Sequence, residues 1–209
     1  GFRSGQYMAS ADEIYISVKG KGGHAAIPKE YRNPLMAAAA LLVEFGKLTE
    51  ELKQFNSPTV LAFGKIIGNG ATNVIPGEVK IDGTLRCMSE EVRKNLWKKI
   101  SDISSVVQQM HDGITIEIKI DEGYPSLFNH PVVTTKAKHA AQKYLGEQQV
   151  EELDLRMAAE DFAFYSQKIP ATFYRIGTGN KSKGITSPVH TPTFDIDEDA
   201  LQISTGLMA

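Results

Sequence analysis

Glu13-Ile14-Tyr15-Ile16-Ser17-Val18-Lys19-Gly20-Lys21-Gly22-Gly23-His24-Ala25-Ala26-Ile27-Pro28 is the stretch from which the rest of the chain can be read. Ile14, Ile16 and Val18 alternate with polar neighbours, which predicts a half-buried strand over 13–19. Gly20, Gly22 and Gly23 follow, and one imidazole stands before a proline. Glycine reaches backbone angles closed to other residues and lets a ligand approach the main chain. A histidine held there can donate a hydrogen bond or shuttle a proton near neutral pH. An ordinary strand-to-helix turn with a solvated His24 explains the same residues, and the local pattern alone favours that plainer account.

Working outward, Asn33 is placed to cap a helix with Pro34 at its first position, followed by an alanine-rich run to Leu48. The small residues over 36–40 predict close packing of this helix on a sheet. Ser57-Pro58 restarts the chain as a strand over 59–67, and Gly68-Asn69-Gly70 breaks it. Alternation returns over 79–86. Ser89-Glu90-Glu91 opens an amphipathic helix to about Met110, with Trp97 and Ile100 inward. His111-Asp112-Gly113 ends it, and Ile114, Ile116, Ile118 and Ile120 mark another strand. The order is strand-helix-strand-strand-helix-strand (βαββαβ), the split arrangement of a ferredoxin-like sandwich.

Gly123-Tyr124-Pro125 reads as a boundary. Beyond it the pattern predicts a helix over 131–145, a strand over 150–155, a helix over 160–167 and a strand over 171–177. A Gly/Ser/Lys loop over 178–188 leads to a last helix near Asp197. Such alternation is what α/β layers produce. Two strands are too few to close a sheet, so this half is expected to dock on sequence outside the chain. Residues 1–11 show no period and read as a connector. Residue 1 is Gly rather than Met, and residues 201–209 break off inside an amphipathic pattern, so a piece of a longer protein is expected.

At 209 residues the chain can bury a core as one large domain or two small ones. Its net charge of -2 and scattered basic residues argue against a nucleic-acid partner. A single cysteine, Cys87, excludes an internal disulfide and fits a reducing, cytoplasmic setting. No apolar run reaches membrane-spanning length and no cationic-then-apolar signal opens the chain, so no membrane partner is expected.

Four stretches carry candidate chemistry. His190 sits between Pro188 and Pro192 at the end of the flexible loop. Neutral imidazole is a good zinc ligand whose other nitrogen usually needs a carboxylate or carbonyl. Asp195 and Asp197 can supply one, or can simply cap the final helix. Glu160 and Asp161 either favour a helix macrodipole or place a carboxylate toward a metal or an ammonium. Asn73, in the turn over 70–77, satisfies turn backbone or hydrogen-bonds a substrate carbonyl or carboxylate. Arg86, at a strand end, is an exposed charge or a carboxylate clamp suited to its planar fork. His111, His130 and His139 do not fit a ligand pattern.

Taken in order, GKGGHAAIP from Gly20, NVIPG from Asn73, GTLR from Gly83, EDF from Glu160 and HTPTFDIDE from His190 closely resemble the aminoacylase/carboxypeptidase family of co-catalytic zinc metallopeptidases. The hippurate hydrolase and indole-3-acetyl-amino-acid amidohydrolase branch is the nearest in pattern, and the resemblance covers nearly the whole chain. It implies an α+β protein. Residues 11–121 would form a ferredoxin-like lid and dimerisation domain, and 122–209 the C-terminal portion of an α/β catalytic domain, with 1–10 as connector. The implied activity is metal-dependent hydrolysis of N-acyl amino acids or small peptides by a homodimer, with two divalent metal ions (zinc, or manganese, cobalt or nickel). By the same resemblance His190 is a metal ligand, and His24 reaches the partner's active site in dimeric relatives and stabilises the tetrahedral oxyanion. Asn73 and Arg86 correspond to positions binding the substrate's carboxylate end, and Glu160 and Asp161 to an acidic pair bordering the site.

A catalytic metal needs about three protein ligands and an open water position. This chain offers one convincing candidate, because the family's other ligands and general base precede the lid. The chain alone is therefore expected to be inactive. The rival expectation is a non-catalytic ferredoxin-like dimerisation or binding module, which explains the missing ligands differently.

Overall fold

The computed structural model describes residues 1–54 and 57–209. Its strands are β1 (Gly5–Met8), β2 (Asp12–Lys19), β3 (Gly23–His24), β4 (Thr59–Ile67), β5 (Val74–Ile75), β6 (Glu78–Cys87), β7 (Thr115–Glu122) and β8 (Leu127–Asn129). Its α-helices are α1 (Pro34–Leu52), α2 (Glu90–Met110), α3 (Pro131–Leu145), α4 (Ala163–Ser166) and α5 (Asp199–Met208). Single 3-10 turns lie at Glu147–Gln149 and Lys181–Lys183. The chain divides into two compact units: a sheet unit of residues 8–127 with 156–164, and a helical unit of residues 1–7, 128–155 and 165–209.

In the sheet unit four strands pair in the order β4-β6-β2-β7, every neighbour antiparallel. Set against the succession β2-α1-β4-β6-α2-β7, this is the ferredoxin-like split βαβ topology. The register puts Ile16 opposite both Ile81 and Ile118, so one face of the sheet is apolar from strand to strand. Both helices cover that face. Asn33 Oδ1 accepts from the Leu35 amide at 3.0 Å, and Pro34 fills the first helical position where its missing N–H costs nothing. From there Ala37, Ala38, Leu41, Phe45, Leu48 and Leu52 are buried at helical spacing, and Phe45 stacks on Phe63 with centroids 4.9 Å apart. The run of alanines lets α1 lie close on the strands, while Ser89 Oγ caps α2 through the Val92 amide. The core is Ile14, Ile16, Val18, Val79, Ile81 and Leu85 from the strands, with Leu41, Phe45, Leu96, Ile100 and Val107 from the helices.

The buried stripe of α2 contains a charge that its period made visible but composition did not. Arg93 falls in phase with Leu96, Ile100, Ser104 and Val107, all buried. Its guanidinium is fully buried and pairs with the equally buried Asp12 at the start of β2. Arg93 Nε donates to Asp12 Oδ2 at 2.9 Å, Nη1 to Glu90 Oε2 at 2.9 Å, and Nη2 reaches the Gly123 carbonyl at 3.3 Å. Trp97 Nε1 donates to Asp12 Oδ2 at 2.9 Å, and the Gly123 amide to Asp12 Oδ1 at 3.2 Å. Burial works against the Arg93 charge, but the bonds to Asp12 and Glu90 outweigh it and raise its pKa. The strand that enters the sheet and the segment that leaves it are thus tied to the first turn of α2.

In the helical unit β1 pairs with β8, and Phe2 bridges Glu152 in parallel. The fully buried Asn129 joins three segments: its Nδ2 donates to the Arg3 and Phe173 carbonyls, each at 2.8 Å, and its Oδ1 accepts from the Phe173 amide at 2.7 Å. Three expectations change here. The segment read as a connector contains β1. The strands expected over 150–155 and 171–177 are extended backbone with isolated partners, because Phe2, Gly1 and the Asn129 side chain take their polar groups in place of a continuous ladder. The helix expected over 160–167 is one turn, Ala163–Ser166, so Glu160 and Asp161 lie in the bend before it, where their carbonyls accept from Ala163 and Phe164.

Candidate functional site

His24 is placed by a two-residue ladder that no periodicity could reveal: Gly23 pairs with Ile75 and His24 with Val74. The glycines ahead of it serve close approach rather than unusual angles, since none of the three has a positive φ. A Cβ at Gly20 would lie 2.2 Å from the Arg32 carbonyl oxygen, and one at Gly22 2.8 Å from that of Ile75. The backbone knot closes with Gly20 N–H donating to Gly77 at 2.9 Å and Ala25 N–H to the Asn73 carbonyl at 3.0 Å. His24 and Asn73 are therefore brought together, both exposed. His24 Nδ1 accepts from the Ala26 amide at 3.1 Å, which puts the proton of the neutral ring on Nε2 and leaves that nitrogen as a donor.

Arg86 is elsewhere. It stands opposite Val60 near the far end of β6, while Gly77 and Glu78 begin that strand beside the His24 knot. Eight residues of strand at about 3.3 Å each separate Glu78 from Arg86 by about 26 Å. Half-buried, Arg86 Nη1 donates to the Met157 carbonyl at 3.3 Å, which brings it to the segment carrying Glu160. It also lines a groove of about 750 Å³ with Tyr15, Lys65, Asp82, Thr84 and Tyr124 on the sheet face away from the helices. Glu160 is half-buried, and burial first, then a bond from Asp161, raises its pKa above the ordinary carboxylate value.

His190 belongs to the helical unit. It is exposed, and it is the one non-glycine residue with positive φ among those described, at 65°. Non-glycine residues in that region cost on the order of 1–3 kcal/mol and persist where the surroundings over-determine them. Neither carboxylate expected beside its ring takes that part. Asp195 Oδ1 accepts from the Ile196 amide at 2.8 Å, while Asp197 binds Asn180 and Lys183 and accepts from the Asp199 amide at the start of α5. Among the described residues no group of three His, Cys, Asp or Glu could hold a metal ion. His190 fits a metal as one imidazole donor, and this chain's described residues do not complete a set.

Sequence reasoning also passed over Asp12 and Arg93, for which the signal was an arginine inside an apolar helical stripe. Cys87 is buried, and burial first, then the Asp12 charge, pushes its thiol up to about 12. That makes it part of the packing rather than a nucleophile.

The family described as peptidase dimerisation domain matches residues 10–110. An IAA-amino acid hydrolase of Arabidopsis thaliana is 32% identical over 99% of this chain and 48% of its own length. An N-acetyl-L-cysteine deacetylase of Bacillus subtilis is 31% identical over 96% of this chain and 46% of its own. Among solved structures, a dinuclear metal-binding peptidase of the M20 family from Bacillus subtilis superposes with a TM-score of 0.75 at 26% identity, over 100% of this chain and 50% of that one. The chain spans about half the length of the curated relatives it matches. No helix among the described residues is long and apolar enough to cross a membrane. Nearly the whole length of the chain thus aligns with about half of each of these hydrolases, and residues 10–110 are similar to the peptidase dimerisation domain.

Proposed function

We propose that this chain works within a metal-dependent amidohydrolase that cleaves N-acyl amino acids or small peptides, assembled as a homodimer. In this reading residues 11–121 are the lid and dimerisation domain and 122–209 part of the catalytic domain. The observation that carries the site assignment is that Arg86 lies near one end of β6 while the His24–Asn73 knot sits beside the other, with Glu78 and Arg86 about 26 Å apart at ordinary strand rise. A small substrate cannot touch both ends of one sheet. It can touch Arg86 of one copy and His24 with Asn73 of a second.

The unit presents one edge suited to that second copy. Edge strand β4 exposes Val60, Ile66 and Ile67, and α1, packed against β4, exposes Leu35, Met36 and Val43. The opposite edge, β7, is guarded by Glu117 paired with Lys19 and by Lys119 paired with Asp121. Charges of this kind blunt an edge, whereas an apolar edge invites pairing. We assign the homodimer contact to β4 and α1.

His24 donates from Nε2 to the oxygen on which charge develops as the amide carbon becomes tetrahedral. Loss of one such donor costs about 10²–10³ in kcat. Asn73 and Arg86 bind the substrate's carboxylate end, Arg86 through its planar fork. Glu160 borders the site as a half-buried acid. His190 supplies one metal ligand of a set completed outside the described residues. A divalent metal (zinc, manganese, cobalt or nickel) supplies carbonyl polarisation and a lowered pKa for its bound water. By itself this chain is expected to be inactive.

Complementation tests the shared site. In the protein encoded by the whole open reading frame, His24→Ala and Arg86→Ala are each expected to abolish most hydrolysis of N-acyl amino acids. Equal mixtures that exchange subunits should regain about a quarter of wild-type turnover, since half the dimers are mixed and each holds one intact site. No recovery in dimers shown to exchange would place both residues in one copy's site and refute the arrangement. A protein that dimerises, binds no metal and hydrolyses none of these substrates would favour the non-catalytic module.

A further inference from the structure

His190 sits at the tip of a loop whose neck is closed by a compact polar cluster. At the neck, the Asp197 amide donates to the Thr178 carbonyl at 2.8 Å, and Asn180 and Ile185 exchange two backbone hydrogen bonds at 2.9 Å. Asn180 Oδ1 caps the turn Lys181–Lys183 by accepting from Ser182 and Lys183, while its Nδ2 donates to Asp197 Oδ2 at 2.6 Å. Lys183 Nζ donates to Asp197 Oδ1 at 2.6 Å and to Asp199 Oδ2 at 2.8 Å. Asp197 is the hub, its side chain only 13% exposed. The tip has its own bonds, Ser187 Oγ with Thr193 Oγ1 at 2.9 Å, Thr191 Oγ1 to the Pro188 carbonyl at 2.8 Å and the Phe194 amide to the Thr191 carbonyl at 3.1 Å. Within it lies His190 with its φ of 65°.

We propose that Lys183 is a positioning residue for His190: by joining Asp197 and Asp199 across the neck, it holds the 187–193 tip in the one arrangement that keeps His190 in the left-handed region. Three features favour this over an idle surface pair. Exposed ion pairs usually contribute little, but here one ammonium bridges two carboxylates, one of them largely buried and already fixed by an amide. The bridge joins residues 14 positions apart, and its loss leaves the neck to the Asp197–Thr178 and Asn180–Asp197 bonds, which loosens the tip. The tip also contains a strained residue, which relaxes once its surroundings stop over-determining it. The value of this positioning rests on the reading of His190 as a metal ligand, since a preset ligand loop spares the metal the ordering of that segment.

The test is backbone relaxation by NMR on the full open-reading-frame product, with unfolding midpoints as a control for folding. In the wild type, amides of 187–193 should show order parameters near the ~0.85 of rigid backbone. Lys183→Met is expected to drop them below about 0.6 and shift the His190 Cα signal out of its left-handed value. Residues 12–19 should be untouched, Lys183→Arg should restore the tip, and Asp197→Asn should repeat the loss. An equally ordered tip in Lys183→Met overturns the proposal, as does loss in Lys183→Arg equal to that in Lys183→Met. Zinc titration of the full open-reading-frame product, followed at the His190 ring, separates this from the reading beneath it. An unperturbed ring there removes His190 as a ligand while the relaxation result still decides the latch.

Discussion

Replacing Asp12 by alanine would strand the guanidinium of Arg93 inside the sheet unit. Both side chains are fully buried, and Asp12 takes two of the five Arg93 donors as well as Trp97 Nε1 and the Gly123 amide. Glu90, the Gly123 carbonyl and Glu122 at 3.7 Å would remain, but both carboxylates are partly solvated and face Nη1, so they cannot neutralise the side of the fork that Asp12 held. Breaking a buried pair from one side costs about 3–5 kcal/mol, most of it the penalty of the charge left behind. With a urea m-value of about 2 kcal/mol/M, the midpoint should fall by roughly 1.5–2.5 M. Trp97 is the only tryptophan of the chain and donates into this network, so its fluorescence reports the unit directly. The double variant Asp12→Ala with Arg93→Met should recover much of the loss, because replacing a buried ion pair by apolar groups is often close to neutral. A fall below about 0.5 M in Asp12→Ala, or a double variant weaker than the single one, would refute the reasoning.

Cys87 should resist a thiol reagent in the native chain and react at once on unfolding, since burial pushes its thiol up to about 12; rapid native labelling would contradict this. Gly20→Ala should disorder the His24 knot, because the added carbon meets the rigid Arg32 carbonyl at 2.2 Å; unchanged amide shifts at residues 20–26 would count against it. Glu160→Gln should leave stability unchanged or raised at neutral pH. Its folded-state pKa lies above the unfolded value, so the wild type is favoured at low pH and loses that advantage as pH rises through the folded pKa. Unfolding midpoints of the two proteins should therefore converge on acidification, and divergence there would reverse the assignment.

Most of the sheet unit was legible because its elements are long and periodic. Ile14, Ile16 and Val18 gave a period of two, and Asn33-Pro34 and Ser89 announced helices that begin where those residues cap them. The β3–β5 ladder was not legible, since two residues carry no period, and the pairing of His24 with Val74 is a long-range contact. Val150 and Ala171 began apolar runs that looked like strands, but a strand exists only where a partner offers a ladder, and Asn129 and Gly1 supply isolated bonds there. The candidate residues were found by motif, while their grouping was not. Register alone separates Arg86 from His24 and Asn73, and only tertiary folding commits Asp197 to Lys183 rather than to the His190 ring.

Metal content measured together with turnover of N-acyl amino acids tests the proposal most directly, on the full open-reading-frame product and its His24→Ala and His190→Ala variants. The account predicts that His190→Ala loses bound metal and turnover together, while His24→Ala keeps its metal and loses about 10²–10³ in kcat. Undiminished metal in His190→Ala, or an unchanged kcat in His24→Ala, would contradict it.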